Sequence, residues 1–217
     1  MGRVTLPDPP ILVITDRRQA PRPLDAVAAA VFAAGCRWLS LREKDLGVGE
    51  RETLLRRIVQ LGGEHGAVVT VHEVVAAAQA AGAAGVHLSA GVHPGAARRA
   101  LGPNALIGCS AHGRAELALA AEADYATLSP VFSSPSKPGY GPALGLDRFA
   151  AMVADCDVPV VALGGLDARN AALCLEAGAA GVAVMGAIMA AQDPAAVMAG
   201  LIKSLGGALA ARRARRS

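Results

Sequence analysis

Residues 177–188 read Ala-Gly-Ala-Ala-Gly-Val-Ala-Val-Met-Gly-Ala-Ile, a stretch that stops a helix, makes a strand and starts another helix. Gly178 stands where a left-handed residue ends a helix. Gly181–Met185 is a short apolar run of strand type, and Gly186 opens the next helical segment. The same Ala-Gly-Ala-x-Gly-Val phrase recurs at Ala81–Val86, again closing a helix and opening a strand. The alternation continues on both sides of these two phrases. Apolar runs at Ile11–Thr15, Trp38–Arg42, Val68–Val71, Gly85–Leu88, Leu106–Ser110, Tyr125–Leu128, Pro159–Ala162 and Gly181–Met185 predict eight strands. Most lack a two-residue period, as expected of parallel strands covered on both faces. Between them, sets such as Leu24, Val27, Ala28, Val31 and Phe32, or Val197, Leu201 and Leu205, recur at helical spacing. Eight uninterrupted β-then-α units predict an α/β fold with a single (βα)8 TIM barrel over residues 1–217, rather than an open doubly wound sheet. Residues 1–10 read as an N-terminal extension and 211–217 as a basic, flexible tail.

Composition sets the limits of that reading. The chain has 217 residues, near the lower end of the roughly 200–250 that a complete barrel takes. Aromatic residues make up only 3%, so Ala, Val and Leu must fill the core, which suits helices lying close on a sheet. The net charge of +3 falls near −1 once Arg212, Arg213, Arg215 and Arg216 are set aside, and no basic face for nucleic acid follows. Cys36, Cys109, Cys156 and Cys174 show neither a CxxC nor a metal-ligand spacing and read as reduced thiols. Met1–Pro10 lacks an apolar signal region, and no run is long enough to span a bilayer, so a cytoplasmic address and no membrane partner are expected. Oligomeric state is not readable.

Barrel enzymes place their chemistry at the carboxyl ends of the strands. Those ends carry Arg42 with Lys44, His72 with Glu73, Ser89, Ser110 with His112, and Gly164-Gly165. After the sixth strand comes a Pro- and Gly-rich loop, Ser129–Gly145, containing Ser136 and Lys137. Loops of that length in barrels are more often functional than not. Gly164-Gly165 and Met185-Gly186-Ala187 follow strands seven and eight, the usual phosphate locus of barrels, where glycine lets backbone N–H groups approach an anion. His112 is the natural proton shuttle at that rim. His65 is assigned to the surface and His87 to the core. His72 and Glu73 are adjacent on a strand and are expected to face opposite ways, which argues against a shared metal site.

With its rim assembled, the chain resembles the thiamine-phosphate synthase/TenI family over nearly its whole length. The resemblance rests on Leu12–Asp16, Leu41–Asp45, Gly85–Leu88, Gly108–His112, Ser129–Gly145, Ala162–Leu166 and Gly181–Ile188 in that order and spacing. It implies a (βα)8 barrel acting on a thiazole phosphate in thiamine biosynthesis. Synthases of this family join hydroxymethylpyrimidine diphosphate to the thiazole phosphate with Mg²⁺ and expel pyrophosphate, whereas TenI-like members isomerise a carboxythiazole phosphate without metal. The synthase pattern has Gln where this chain has Ser40, Asn-Asp where it has His72-Glu73, and a magnesium-binding Asp where it has Val92. Valine offers no hard oxygen ligand. The resemblance therefore implies a metal-independent thiazole tautomerase without cofactor. His112 would move the proton, Arg42 or Lys137 would steady negative charge, and Lys44, Ser110, Ser136, Gly164, Gly165, Met185, Gly186 and Ala187 would help to bind a phosphorylated thiazole. Two alternatives stand beside it: a Mg²⁺-dependent synthase using Glu73, and a barrel that binds a phosphorylated metabolite without turnover.

Overall fold

Strands form where the apolar runs lie: Ile11–Ile14 (β1), Trp38–Leu41 (β2), Val68–His72 (β3), Gly85–Leu88 (β4), Leu106–Ala111 (β5), Tyr125–Leu128 (β6), Val160–Leu163 (β7) and Gly181–Val184 (β8). The computed structural model describes residues 3–133 and 142–216, the last six as backbone only. Each strand pairs in parallel with the next and β8 pairs with β1, so the sheet closes into a barrel. Differences from the sequence expectation are confined to strand ends. Pro159, for instance, has no N–H to give and joins the sheet only by accepting from Ala126.

Among the described residues the helices are Leu24–Ala33 (α1), Val48–Glu64 (α2), Val75–Ala81 (α3), Gly95–Leu101 (α4), Arg114–Leu119 (α5), Gly145–Ala154 (α6), Ala171–Glu176 (α7), Gly186–Met189 (α8) and Pro194–Arg216 (α9). Through the segment expected to be a basic, flexible tail, the backbone continues as helix to Arg216. Its run of Ala and Arg explains this, since both are strong helix formers and no Gly or Pro interrupts them. No helix among the described residues is long and apolar enough to cross a membrane.

Alternation along each strand sorts the side chains into two cores. Ile11, Val13, Leu39, Leu41, Val69 and Val71 point outward and pack under the helices with Val27, Phe32, Leu55 and Ile58. Leu12, Ile14, Trp38, Leu106, Tyr125, Val161 and Ala183 point into the barrel. Trp38 and Tyr125 meet edge to face, their centroids 4.7 Å apart, and fill its lower half. Gly108 makes that possible, because a Cβ there would stand 2.1 Å from the Tyr125 ring.

The N-terminal segment closes the barrel floor. Val4 and Leu6 pack on the inner core, and buried Asp124 accepts hydrogen bonds from Val4 N (2.9 Å), Ile107 N (2.7 Å) and the Arg98 guanidinium (2.7 Å). Asp124→Ala removes one acceptor from three donors, one of them charged. The expected cost is about 3 kcal/mol, which lowers Tm by roughly 6–12 °C in a chain of this size. Calorimetry checks this, and a fall of less than about 3 °C would mean that the floor contributes little to stability.

Candidate active site

The carboxyl ends of the strands surround a cavity of about 1000 Å³. Arg42, Lys44, Ser110, His112, Gly164, Gly165, Met185, Gly186 and Ala187 all line it, as does Glu73. Ser136 and Lys137 lie outside the described residues.

The β7–β8 side is made of backbone. Gly164 has φ +102 and Gly165 φ +65, a pair of left-handed residues that only glycine adopts without strain. Asn170 fixes the turn by donating to the Gly165 carbonyl at 2.9 Å. A Cβ at Gly165 would stand 2.5 Å from the Ser133 carbonyl oxygen, so the root of the long loop rests on the turn. Phe132 N donates to Gly164 O at 3.1 Å, extending that contact. Gly186 opens α8, a single turn, and what it offers an anion is first-turn N–H groups rather than the dipole of a long helix.

Across the mouth, side chains carry the charge. β3 is four places round the eight-strand ring from β7. Here Lys44 Nζ lies 2.6 Å from Glu73 Oε1, and the Ser89 hydroxyl donates to the same oxygen. Those two hydrogen bonds, the Lys44 bond first, hold the Glu73 carboxyl below its usual range, with a smaller contribution from Arg42. Glu73 itself has φ +67, and Val74 N donates to His72 O two residues back, a strained γ-turn. This turn overturns the expectation that His72 and Glu73 face opposite ways: the reversal at Glu73 puts both against the cavity.

His112 joins the two sides. Its Nδ1 is 2.9 Å from the Ser129 carbonyl oxygen, which can only accept, so Nδ1 carries the proton and Nε2 is the basic nitrogen. His87 is buried on β4, as expected, yet it forms part of the cavity floor. Burial pushes its pKa down to about 3, so the ring is neutral at any working pH.

Asp167 and Arg169 also reach the cavity and were missed by the sequence reading. The pair sits just beyond Gly164-Gly165, where Arg169 bonds Asp167 through Nε (3.0 Å) and Nη2 (2.6 Å). Its only sequence signal is that it is the first acid and base after the glycines.

A family described as thiamine monophosphate synthase matches residues 11–188, which spans every strand. The chain belongs to the thiamine monophosphate synthase family. It is 45% identical over 188 residues to a putative thiamine-phosphate synthase of Geobacter sulfurreducens, covering 85% of this chain and 88% of that one. A thiamine-phosphate synthase of Roseiflexus sp. is 34% identical over 203 residues, covering 92% and 86%. Among solved structures, a thiamine phosphate pyrophosphorylase from Pyrococcus furiosus superimposes with a TM-score of 0.82 at 29% identity, covering 92% of this chain and 96% of that one. These relatives are named for coupling and not for isomerisation, which moves weight from the tautomerase expected from the sequence to the synthase alternative.

The donors at the Lys44–Glu73 end do not fit the Mg²⁺ that the synthase resemblance implies. Glu73 is already ion-paired, the position the resemblance assigns to a second carboxylate is Val92, and the neighbouring polar groups are Arg42, His72, His87 and Ser89. Among the described residues no three His, Cys, Asp or Glu side chains converge as a metal site. Magnesium asks for several oxygens, including carboxylates or substrate phosphates.

Proposed function

We propose that the chain joins a thiazole phosphate to a pyrimidine diphosphate and releases pyrophosphate. The observation that carries this reading is one cavity with two separate anion-handling ends: glycine turns at β7–β8, and Arg42 with Lys44 across the mouth. A reaction between two phosphorylated partners has use for both ends. The glycine turns hold the thiazole phosphate, and the two cations hold the diphosphate. As the bond between the partners forms, the carbon–oxygen bond to the diphosphate breaks, and its electron pair leaves on pyrophosphate. Arg42 and Lys44 neutralise the charge that develops there, in preorganised positions. No step is routed through a metal ion.

A second reading, metal-independent tautomerisation of a thiazole phosphate, is favoured by His112. Its Nδ1–H is tied to Ser129, leaving Nε2 as a base at the cavity wall. A paired assay separates the two. Purified protein is given the thiazole phosphate tautomer alone, or the thiazole phosphate with pyrimidine diphosphate, each with and without Mg²⁺. Pyrophosphate release supports coupling. Isomerisation without pyrophosphate overturns it in favour of the tautomerase, and binding without either product leaves a non-catalytic barrel.

A further inference from the structure

Barrel interiors are usually packed with branched apolar side chains. Beneath this cavity the inward positions of β2 to β6 are instead Ser40, Thr70, His87, Ser110 and Thr127, and all but Ser110 are buried. Within this polar layer His87 links Tyr125, Ser110 and Thr127. Tyr125 rises from the apolar lower half and brings its phenol oxygen to 2.9 Å from His87 Nδ1. His87 Nε2 is 2.9 Å from Ser110 Oγ, with Thr127 Oγ1 more distant at 3.4 Å. Of the hydroxyls linked to His87, it is the half-buried Ser110 that reaches the cavity.

The order of donors follows from chemistry. A buried phenol must place its proton on an acceptor, and a phenol is a much better donor to imidazole than an acceptor from it. Burial also pushes the Tyr125 pKa up, so the phenol keeps its proton. With Nδ1 accepting, the neutral His87 ring has its one proton on Nε2 and donates it to Ser110 Oγ. That occupies a Ser110 lone pair and turns the serine proton toward the cavity.

We infer that Tyr125 and His87 are positioning residues that fix Ser110 as a hydrogen-bond donor to an anionic oxygen of the phosphorylated substrate. Tyr125 lies below the cavity lining, and His87 is buried in the cavity floor. The substrate half of this inference rests on the coupling reading, in which that oxygen belongs to the diphosphate; the relay itself does not.

The test has two parts. The first is ¹⁵N NMR of the ligand-free protein, which reports the tautomer of His87. The expected state is Nε2 protonated and Nδ1 bare, with that preference lost in Tyr125→Phe, which keeps the ring against Trp38. A wild-type ring protonated on Nδ1 overturns the relay. The second is a double-variant cycle on binding of inorganic pyrophosphate. A hydrogen bond to a charged group is worth enough that Ser110→Ala should weaken binding about tenfold. Tyr125→Phe should weaken it several-fold, and the double variant should be no worse than Ser110→Ala alone, because the phenol acts only through the serine. Losses that multiply overturn the relay while leaving coupling intact. Wild-type protein that fails to bind pyrophosphate, with the tautomer as expected, overturns the coupling reading and the substrate half of the inference.

Discussion

Replacing Arg42 and Lys44 together by alanine will lower the rate of pyrophosphate release about a thousandfold, with phosphate-ester binding at the glycine turns nearly unchanged. A hydrogen bond to a charged group contributes about 1.5–3 kcal/mol, so two of them on a leaving diphosphate supply roughly 4 kcal/mol, which is that factor. Folding has little stake in either side chain. Half of the Lys44 side chain is solvent-exposed, and Arg42 meets Thr15 through its main-chain N–H (2.8 Å), which alanine keeps. Glu73 supplies a second readout. Its carboxyl is held low chiefly by Lys44, so the pair's contribution is present above the ordinary carboxylate range and is lost only as pH falls through the depressed folded value. Without Lys44 the Glu73 carboxyl moves back toward its ordinary range and protonates at higher pH, which NMR titration detects. A rate loss below about tenfold would remove the two cations from the leaving-group site, because general electrostatic steering alone accounts for an effect of that size.

The barrel was legible because its signals are local. Apolar four-residue runs, helix-stopping glycines such as Gly82 and Gly178, and their regular succession follow from propensity and period, and each survived into the structure. Much of the cavity's lining was legible for the same reason, since strand ends must face the mouth, whereas Asp167 and Arg169 beyond the glycine turn were not. Relations that depend on the third dimension were not. Nothing in the sequence marks Glu73 as a non-glycine residue at positive φ, because its turn is imposed by pairing: Glu73 N is taken by the His87 carbonyl of the next strand. His87 was read as core and is buried. Its role as the link between Tyr125 and Ser110 depends on three strands lying side by side in register. Val4 and Leu6 read as part of an extension, yet they complete a core whose other members are spread from Leu12 to Met185. The helical end of α9 could have been read from its Ala and Arg content, but charge density pointed the other way.

His112→Ala gives the sharpest separation of the two chemistries, because they ask different things of one ring. A tautomerase needs a base that takes a proton from one ring position and returns it at another. Removing such a group should cost about 10²–10⁴ in rate. Coupling moves no proton to that ring in the bond-breaking step, so its loss should stay within about tenfold, the scale of a mispositioned neighbour rather than of a missing acid/base. The structure makes the comparison clean. Nδ1 is tied to the Ser129 carbonyl at the root of the long loop, and that root is held on the far side by Phe132 N on Gly164 O. His112→Asn keeps an amide donor for Ser129 while removing the basic nitrogen, and so controls for loop position. A loss shared equally by the Ala and Asn variants is chemical; a loss that Asn restores is positional. If isomerisation falls at least a hundredfold in both variants while pyrophosphate is absent throughout, the chain is a tautomerase despite its relatives' names. If pyrophosphate release persists in both, Nε2 is not the reacting base, and Arg42 and Lys44 carry the charge of the leaving group.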